Sequence, residues 1–431
     1  MWRNALLRLV YSFLFYLVLP AVLVRLLWRS IKEPTYRQNL LQRFGFVNFE
    51  KENRSPLIWV HSVSAGETIA VAPLVRKLVE RGYTVLVTTM TPTGRERVQS
   101  LLGDSVLHSY VPYDLPSAVS RFLRRTRPDC LVIIDTELWP NIIHQCAARN
   151  TKTMLVNARL SAQSAAGYRK ISSLTRSMLM DMDYISAQTA AQGQRFLDLG
   201  LAEEKLLISG SIKFDQRLPK DFKENVAQLR EKVGDRLVII GASTHAGEEE
   251  IILSACRPLR DSHEELLLIL APRHPHRSDE VATWAEKEGE TLVRHSDEMK
   301  CVDSTTVLLL DTLGELTYFY GISDIAIIGG SFVPVGGHNL MEAACANVPI
   351  IMGPYLDHID DIASMFSEKG GMLIAQNAAE LGRQLEALLS SVQERKDLVA
   401  RANAVLKSNQ GALEEVENLI VQSIARAELS S

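Results

Sequence analysis

Cysteine is sparse. The chain of 431 residues has five, Cys130, Cys146, Cys256, Cys301 and Cys345, scattered and without a C-x-x-C pair. An odd, dispersed set excludes a disulfide framework and a cysteine zinc cage, and suits a reducing compartment in which each thiol is a small core residue. No block of like charges and no basic stretch studded with aromatics occurs, so nucleic acid is excluded as a partner. Internal repeats of roughly 20 to 50 residues are missing, which rules against a solenoid. His and carboxylate clusters at ligand spacing are missing as well. The Asp-x-Asp at Asp181 and Asp183 precedes an apolar strand instead of following one, so no metal site and no cofactor is expected.

What is present is the composition of an ordinary globular enzyme, 23% charged and 46% apolar. The length exceeds what one core usually organises, which predicts two domains of roughly 200 residues each. The net charge of −4 conceals a skew: residues 1–215 carry +10 and the remainder −14. Either the first half favours anionic partners or the skew lies on solvated faces.

Between Arg8 and Arg25 runs LVYSFLFYLVLPAVLV. At about 1.5 Å per residue it reaches only about 24 Å against a bilayer core of about 30 Å, so spanning and shallow insertion both stay open. No small-x-small site follows, so the segment is expected to be retained as an anchor. Arg3 and Arg8 precede it, whereas Arg25, Arg29, Lys32, Arg37 and Arg43 follow, and the larger downstream cluster places the body in the cytoplasm.

Short β-rich runs then recur. LIWVHSV, TVLVTT, CLVIID, TMLVNA and YISAQT alternate with helical stretches, and the rhythm restarts with LLISG, RLVIIGAS, ELLLILAP, TVLLLD, IAIIGG and VPIIMG. Such alternation predicts an α/β protein of two doubly wound, Rossmann-like domains. The periodic pattern breaks in GSIKFDQRLPKD, a plausible hinge. The expected division is an anchor over 1–30, a first domain over 31–212 and a second over 213–431 that includes the final helices.

Several segments sit where parallel sheets bind ligands, at carboxyl ends of strands. In HSVSAGET, Glu67 falls by a helix start, where the dipole keeps a carboxylate ionised; the residues alone leave open whether it complements the dipole or acts as a base. Ser64 resembles a nucleophile elbow only weakly, because Ser62 stands where the first Gly belongs. TTMTPTGRERV supplies hydroxyls and Arg95, IIDTELWPN supplies Asp135 and Glu137 beside Trp139, and NARLS and GSIKFD supply Arg159 and Lys213, cations able to balance negative charge. Further on, GASTHAGEEE is a phosphate-cradle candidate without the P-loop G-K-[ST], APRHPHR presents Arg273 and His274, and the four glycines of IIGGSFVPVGGHN can expose backbone amides ahead of Asn339 and Glu342.

HSVSAGET, TTMTPTG, TELWPN, NARLS, GSIKFD, GASTHAGEE, APRHPHR, LGEL and GGSFVPVGGHN occur in order over residues 57 to about 360. Together they resemble the Kdo transferases, which add 3-deoxy-D-manno-octulosonic acid (Kdo) to the inner core of bacterial lipopolysaccharide. The resemblance implies a GT-B fold, two Rossmann-like domains facing a cleft, with an anchor in the inner membrane. It implies transfer of Kdo from CMP-Kdo to a lipid A precursor, inverting and metal-free, with Glu67 as base and Glu137 and Lys213 stabilising the transition state. It assigns the CMP moiety to Arg273, His274, Gly314, Glu315, Asn339 and Glu342. Two departures bear on local geometry: Leu340 and Ala344 stand where the family has prolines, and Asp135 where it usually has Glu. Rival expectations are a UDP-sugar transferase, a nucleotide-sugar epimerase, or a serine hydrolase using Ser64.

Overall fold

LIWVH is apolar or aromatic at almost every position, a run that only a strand covered on both faces tolerates. In the computed structural model, which describes residues 2–49, 55–297 and 301–429, this run is the fully buried strand β1, Leu57–His61. The side chains of Arg3 and Lys32, counted above among the flanking charges, lie outside the described residues. Ile58 and Val60 point to one face and Trp59 to the other, where its ring meets Phe122 at 4.7 Å.

Among the described residues the strands form two parallel seven-stranded sheets, one per compact unit. The first sheet contains β1, β2 (Thr84–Thr89), β3 (Leu107–Tyr110), β4 (Cys130–Ile134), β5 (Lys152–Ala158), β6 (Tyr184–Ala187) and β7 (Leu206–Ile208), in the order β3-β2-β1-β4-β5-β6-β7. The second contains β8 (Val238–Thr244), β9 (Leu267–Pro272), β10 (Leu292–Arg294), β11 (Val307–Leu309), β12 (Ile325–Ile328), β13 (Ile350–Met352) and β14 (Leu373–Ile374), in the order β10-β11-β9-β8-β12-β13-β14. Both orders are doubly wound, as the alternation predicts. Two assignments differ from the sequence reading. LHSY forms the edge strand β3, and LLISG forms β7 of the first sheet instead of opening the second.

The division into units also corrects the expected boundary. The first unit is Met1–Asp215 with Gln410–Ser431, and the second is Gln216–Asn409. The C-terminal helix Ala412–Leu429 therefore belongs to the first unit. Its Leu413, Val416, Ile420 and Ile424 enter the same core as Val71, Leu74 and Val75 of the helix Ala65–Glu80, and its Glu417 pairs with Lys77 at 2.7 Å and Arg81 at 2.5 Å. The Asp215 carboxylate accepts from the amides of Gly411 at 2.8 Å and Leu413 at 2.7 Å, capping the helix start.

An N-terminal helix, Trp2–Lys32, precedes the first sheet. Within it Leu6–Ile31 is long and apolar enough to cross a membrane, with mean hydropathy 2.1. Cys130, Cys146 and Cys256 are buried, and all five thiols are free.

Candidate functional site

In each sheet the winding reverses at one place, and crevices for ligands open there, at the carboxyl ends of the strands. The first reversal lies between β1 and β4, the second between β8 and β12. The sequence-predicted residues gather at these two places, one set in each unit.

After β1 the chain turns through Ser62 and Val63 and starts the helix Ala65–Glu80 with Ser64 as N-cap. Ser64 to Glu67 has the S-x-x-E spacing of a capping box, in which the acidic side chain folds back over the helix start. The Glu67 amide donates to Ser64 Oγ at 3.3 Å, Ser64 Oγ donates to Glu67 Oε1 at 2.8 Å, and the Val63 amide donates to Oε2 at 2.7 Å. These bonds hold the carboxylate still and favour its ionised form, but they do not prevail. Burial dominates and, helped by the charges of Asp135 and Glu137, pushes the Glu67 carboxyl up to about 7, against the lowering by Val63 and Ser64. The expectation of an ionised carboxylate at a helix start is thus corrected: burial raises the Glu67 pKa to about 7 in spite of the bonds from Val63 and Ser64. Ser64 is occupied as cap and as donor to Glu67.

The same electrostatics bring β4 into the site. Asp135, just past β4, adopts a left-handed φ of 60° and Asn157, near the end of β5, one of 55°. Asn157 Nδ2 donates to Asp135 Oδ1 at 2.5 Å, while Asn157 Oδ1 accepts from Ser211 Oγ and from the Ile212 amide, each at 3.2 Å. That side chain ties the start of the short helix bearing Lys213 to β4. Burial raises the Asp135 pKa, and the charges of Lys213 and Arg159 with the Asn157 bond pull it back. Glu137 is oriented by Trp139, whose Nε1 donates to Glu137 Oε2 at 2.7 Å, and the Trp139 ring stands edge-on to His61 at 5.6 Å. Glu67, Glu137 and Lys213 therefore share one site, and Asp135 and Asn157 are members that their motifs did not single out as strongly.

A second group in this unit was less legible. Arg43, only 2% exposed, lies over the Tyr110 ring at 4.2 Å and donates to the Met90 carbonyl at 3.0 Å; Arg95 lies 6.0 Å from the same ring. Neither guanidinium has a carboxylate partner among the described residues, and Arg43 Nε and Arg95 Nη1 are buried without a hydrogen bond. Burial lowers the Arg43 pKa, and burial with the Arg95 charge lowers that of His108 to about 4. Two cations without a carboxylate partner thus lie beside His108, the kind of grouping that attracts an anion. They adjoin Glu67 through the backbone, since the Met90 amide donates to the Val63 carbonyl at 3.1 Å.

Asp181 and Asp183 turn to different partners, His144 Nδ1 and Lys152 Nζ, each at 2.9 Å.

In the second unit, Glu248 is fully buried and its carboxylate accepts from four backbone amides, His245 at 2.9 Å, Gly330 at 2.7 Å, Ser331 at 3.0 Å and Phe332 at 2.8 Å. Amides of the glycine-rich loop that the sequence reading left free for a phosphate are thus already taken at 330–332. Gly329 is required there, because a Cβ would collide with the Ser243 carbonyl. The loop delivers His338, whose Nε2 lies 2.7 Å from His245 Nε2; burial and the neighbours His245, Arg273, His274 and His358 lower the His338 pKa to about 4. Arg273 and His274 follow β9, exposed, with His274 edge-on to His245 at 5.8 Å.

Glu342 lies on the short helix Met341–Cys345 and accepts from Thr317 Oγ1 at 3.0 Å; burial raises its pKa against the hydrogen bonds of Thr317, Gln216 and Asn339. Thr317 belongs to the helix Leu316–Gly321, which Gly314 and Glu315 precede, and Glu315 accepts from Thr312 and meets His295 Nε2 at 3.2 Å. Arg273 and His274 thus join His245 and His338, while Asn339 joins Glu342 beside the loop of Gly314 and Glu315.

Comparison with known proteins adds an independent line. The profile of the family described as "3-Deoxy-D-manno-octulosonic-acid transferase (kdotransferase)" matches residues 38–216. A 3-deoxy-D-manno-octulosonic acid transferase of Haemophilus influenzae is 40% identical over 431 residues, covering 99% of this chain and 100% of that protein. One from Bordetella pertussis is 36% identical over 405 residues, covering 90% and 92%. Among solved structures, the UDP-GlcNAc 2-epimerase of Neisseria meningitidis bound to UDP-GlcNAc superposes with a TM-score of 0.58 over 86% of this chain and 100% of that one. At 13% identity this last likeness concerns the fold, which is GT-B-like, and not the reaction.

Proposed function

The chain belongs to the 3-deoxy-D-manno-octulosonic acid transferase family, a family of glycosyltransferases, and on that premise we propose that it transfers Kdo from CMP-Kdo to a lipid A precursor, with inversion and without a metal ion. The acceptor is a tetra-acylated glucosamine disaccharide phosphate. The work is done at the cytoplasmic face of the inner membrane, a reading supported by the apolar segment Leu6–Ile31 and by the basic residues after it.

The observation that carries this reading is the Glu67 carboxyl, clamped by Val63 and Ser64 and pushed up to about 7. A base with that pKa is about half ionised near neutral pH and strong enough to accept a hydroxyl proton as attack proceeds. The acceptor hydroxyl gives its proton to Glu67 while its oxygen forms a bond to the anomeric carbon of Kdo. The carbon–oxygen bond to the phosphate breaks on the opposite face, its electron pair leaves with CMP, and the configuration inverts. Glu137, held by Trp139, offsets positive charge developing at the sugar carbon, and Lys213 offsets the carboxylate of the acidic sugar. In the second unit Arg273 and His274 receive the phosphate, and Asn339, Glu342, Gly314 and Glu315 hold the nucleoside. Arg43 and Arg95 supply charge for an acceptor phosphate next to the base.

The test is to incubate membranes containing the chain with CMP-Kdo and the tetra-acylated precursor and weigh the products. Mass increments of one or more Kdo units are expected, together with release of CMP. Turnover of a UDP-sugar instead, or epimerisation without any lipid acceptor, overturns the proposal.

A further inference from the structure

The N-terminal helix Trp2–Lys32 packs on the first unit through its middle, from Ser12 to Leu23. Its covered or half-covered positions include Ser12, Phe15, Leu19, Val22, Leu26 and Ser30, a spacing of three and four that traces a single stripe. At about 1.5 Å per residue the part of it that meets the body of the unit, Ser12 to Leu23, is about 17 Å long. Ser12 and Asn141 are hydrogen-bonded, Asn141 Nδ2 donating to Ser12 Oγ at 3.1 Å, and the hydroxyls of Tyr16 and Ser117 lie 2.9 Å apart. Phe15, Leu19 and Val22 pack on Tyr113, Leu115 and Ala118, and Ser30 Oγ accepts from Arg37 Nε at 2.8 Å.

The opposite face is apolar and open. Leu9, Phe13, Leu17, Val24, Trp28 and Ile31 are each between 61% and 70% exposed, again at helical spacing. A surface helix in water turns its polar side outward. This one is apolar on both sides: Phe15, Leu19, Val22 and Leu26 share the docked stripe with Ser12 and Ser30, and apolar side chains also face away. Such a face requires a nonpolar cover.

A bilayer-spanning helix has lipid around it through a core of about 30 Å. Here a cytoplasmic unit lies against the helix from Ser12 to Leu23, about 17 Å of it, and that unit cannot follow it into hydrocarbon. We propose that the helix does not cross the membrane but lies in its plane, sinking the stripe from Leu9 to Ile31 into one leaflet. The proposal rests on the reading above that the chain works at a membrane. The surface around the helix fits the same partner. Phe44 shares the cluster of Phe15 and Tyr113, and its neighbours Leu41 and Phe46 are 66% and 42% exposed. Arg121 and Arg125 lie over the Phe46 ring at 4.1 Å and 5.5 Å, and Arg25 and Arg29 project from the helix. An apolar surface rimmed by arginines matches a leaflet rich in anionic headgroups and not a second copy of itself, whose arginines would be brought together.

The experiment places an epitope tag ahead of Met1 on the otherwise unaltered chain and applies protease to intact spheroplasts and to inverted inner-membrane vesicles. The expected result is a tag that sediments with membranes, is lost from inverted vesicles and is protected in spheroplasts. A membrane-bound chain whose tag is cut from the outside of spheroplasts overturns the in-plane placement and leaves the membrane reading intact. Recovery in the soluble fraction, as a monomer or a dimer, overturns both. A second measurement uses the pair Ser12→Cys and Asn141→Cys: oxidation in membranes is expected to join them, and failure to join in an active, membrane-bound variant also overturns the proposal.

Discussion

Asn157 donates to Asp135 at 2.5 Å, and both residues hold left-handed backbone at the ends of neighbouring strands. The same Asn157 side chain accepts from Ser211 and Ile212, so the position of Lys213 depends on it. Asn is among the few residues that take such a φ at low cost. Asn157→Ala is expected to lower stability by about 2 to 4 kcal/mol, from lost buried hydrogen bonds and backbone strain together. Transfer should fall further than unfolding explains, which urea denaturation beside kcat at full folding will read.

Glu67→Gln keeps the size of the side chain and an oxygen for the Val63 amide, so a folded protein with transfer reduced at least about 100-fold is expected. The unaltered enzyme should lose kcat/KM about tenfold per pH unit below about 7 as the carboxylate is protonated. Stability moves the other way. The folded pKa lies above the unfolded value, so the folded state keeps its proton longer and stability declines as pH rises from 4.5 to about 7, by on the order of 3 kcal/mol. In Glu67→Gln that decline is absent, and thermal melts across this window measure it.

Arg95→Ala removes one cation of the pair around Tyr110 without emptying the deeply buried Arg43 position. The KM for the phosphorylated acceptor should rise roughly tenfold, the worth of one charge-assisted contact, while the KM for CMP-Kdo stays unchanged. With an acceptor lacking the phosphate, the variant and the unaltered enzyme should perform alike.

Glu248→Gln sets an amide NH2 against at least one of the four backbone N–H groups that the carboxylate now accepts. A loss of about 2 to 4 kcal/mol is expected from donors left buried without acceptors. Calorimetry should show weaker CMP binding, because the loop that carries His338 and Asn339 loses its fixed shape.

The sheets were legible because buried parallel strands are written as unbroken apolar runs, and CLVII and LLILAP are read at sight. LHSY was not, since His108 and Ser109 interrupt the run in an edge strand. Apolar residues at three-and-four spacing mark residues 412–429 as helical, but that spacing does not say which surface the helix packs on, and the sequence reading places it in the second domain instead of the first. The S-x-x-E spacing around Glu67 was readable, whereas its raised pKa comes first from burial, with smaller contributions from Asp135 and Glu137, and burial is decided by the packing of distant segments. Arg43 lies far upstream of Arg95, and the shared Tyr110 ring discloses that they lie together.

The return of the C-terminal helix to the first unit has a consequence for biosynthesis. Chains fold as they emerge from the ribosome, earlier segments first. The second unit, Gln216–Asn409, is continuous and can close as soon as its last strand and helices are made. The first unit, although begun earlier, waits with one side of Val71, Leu74 and Val75 uncovered until residues 412–429 arrive. The older half of the molecule is therefore the later to mature, and a stop codon near residue 410 should leave a sound second unit joined to an unfinished first.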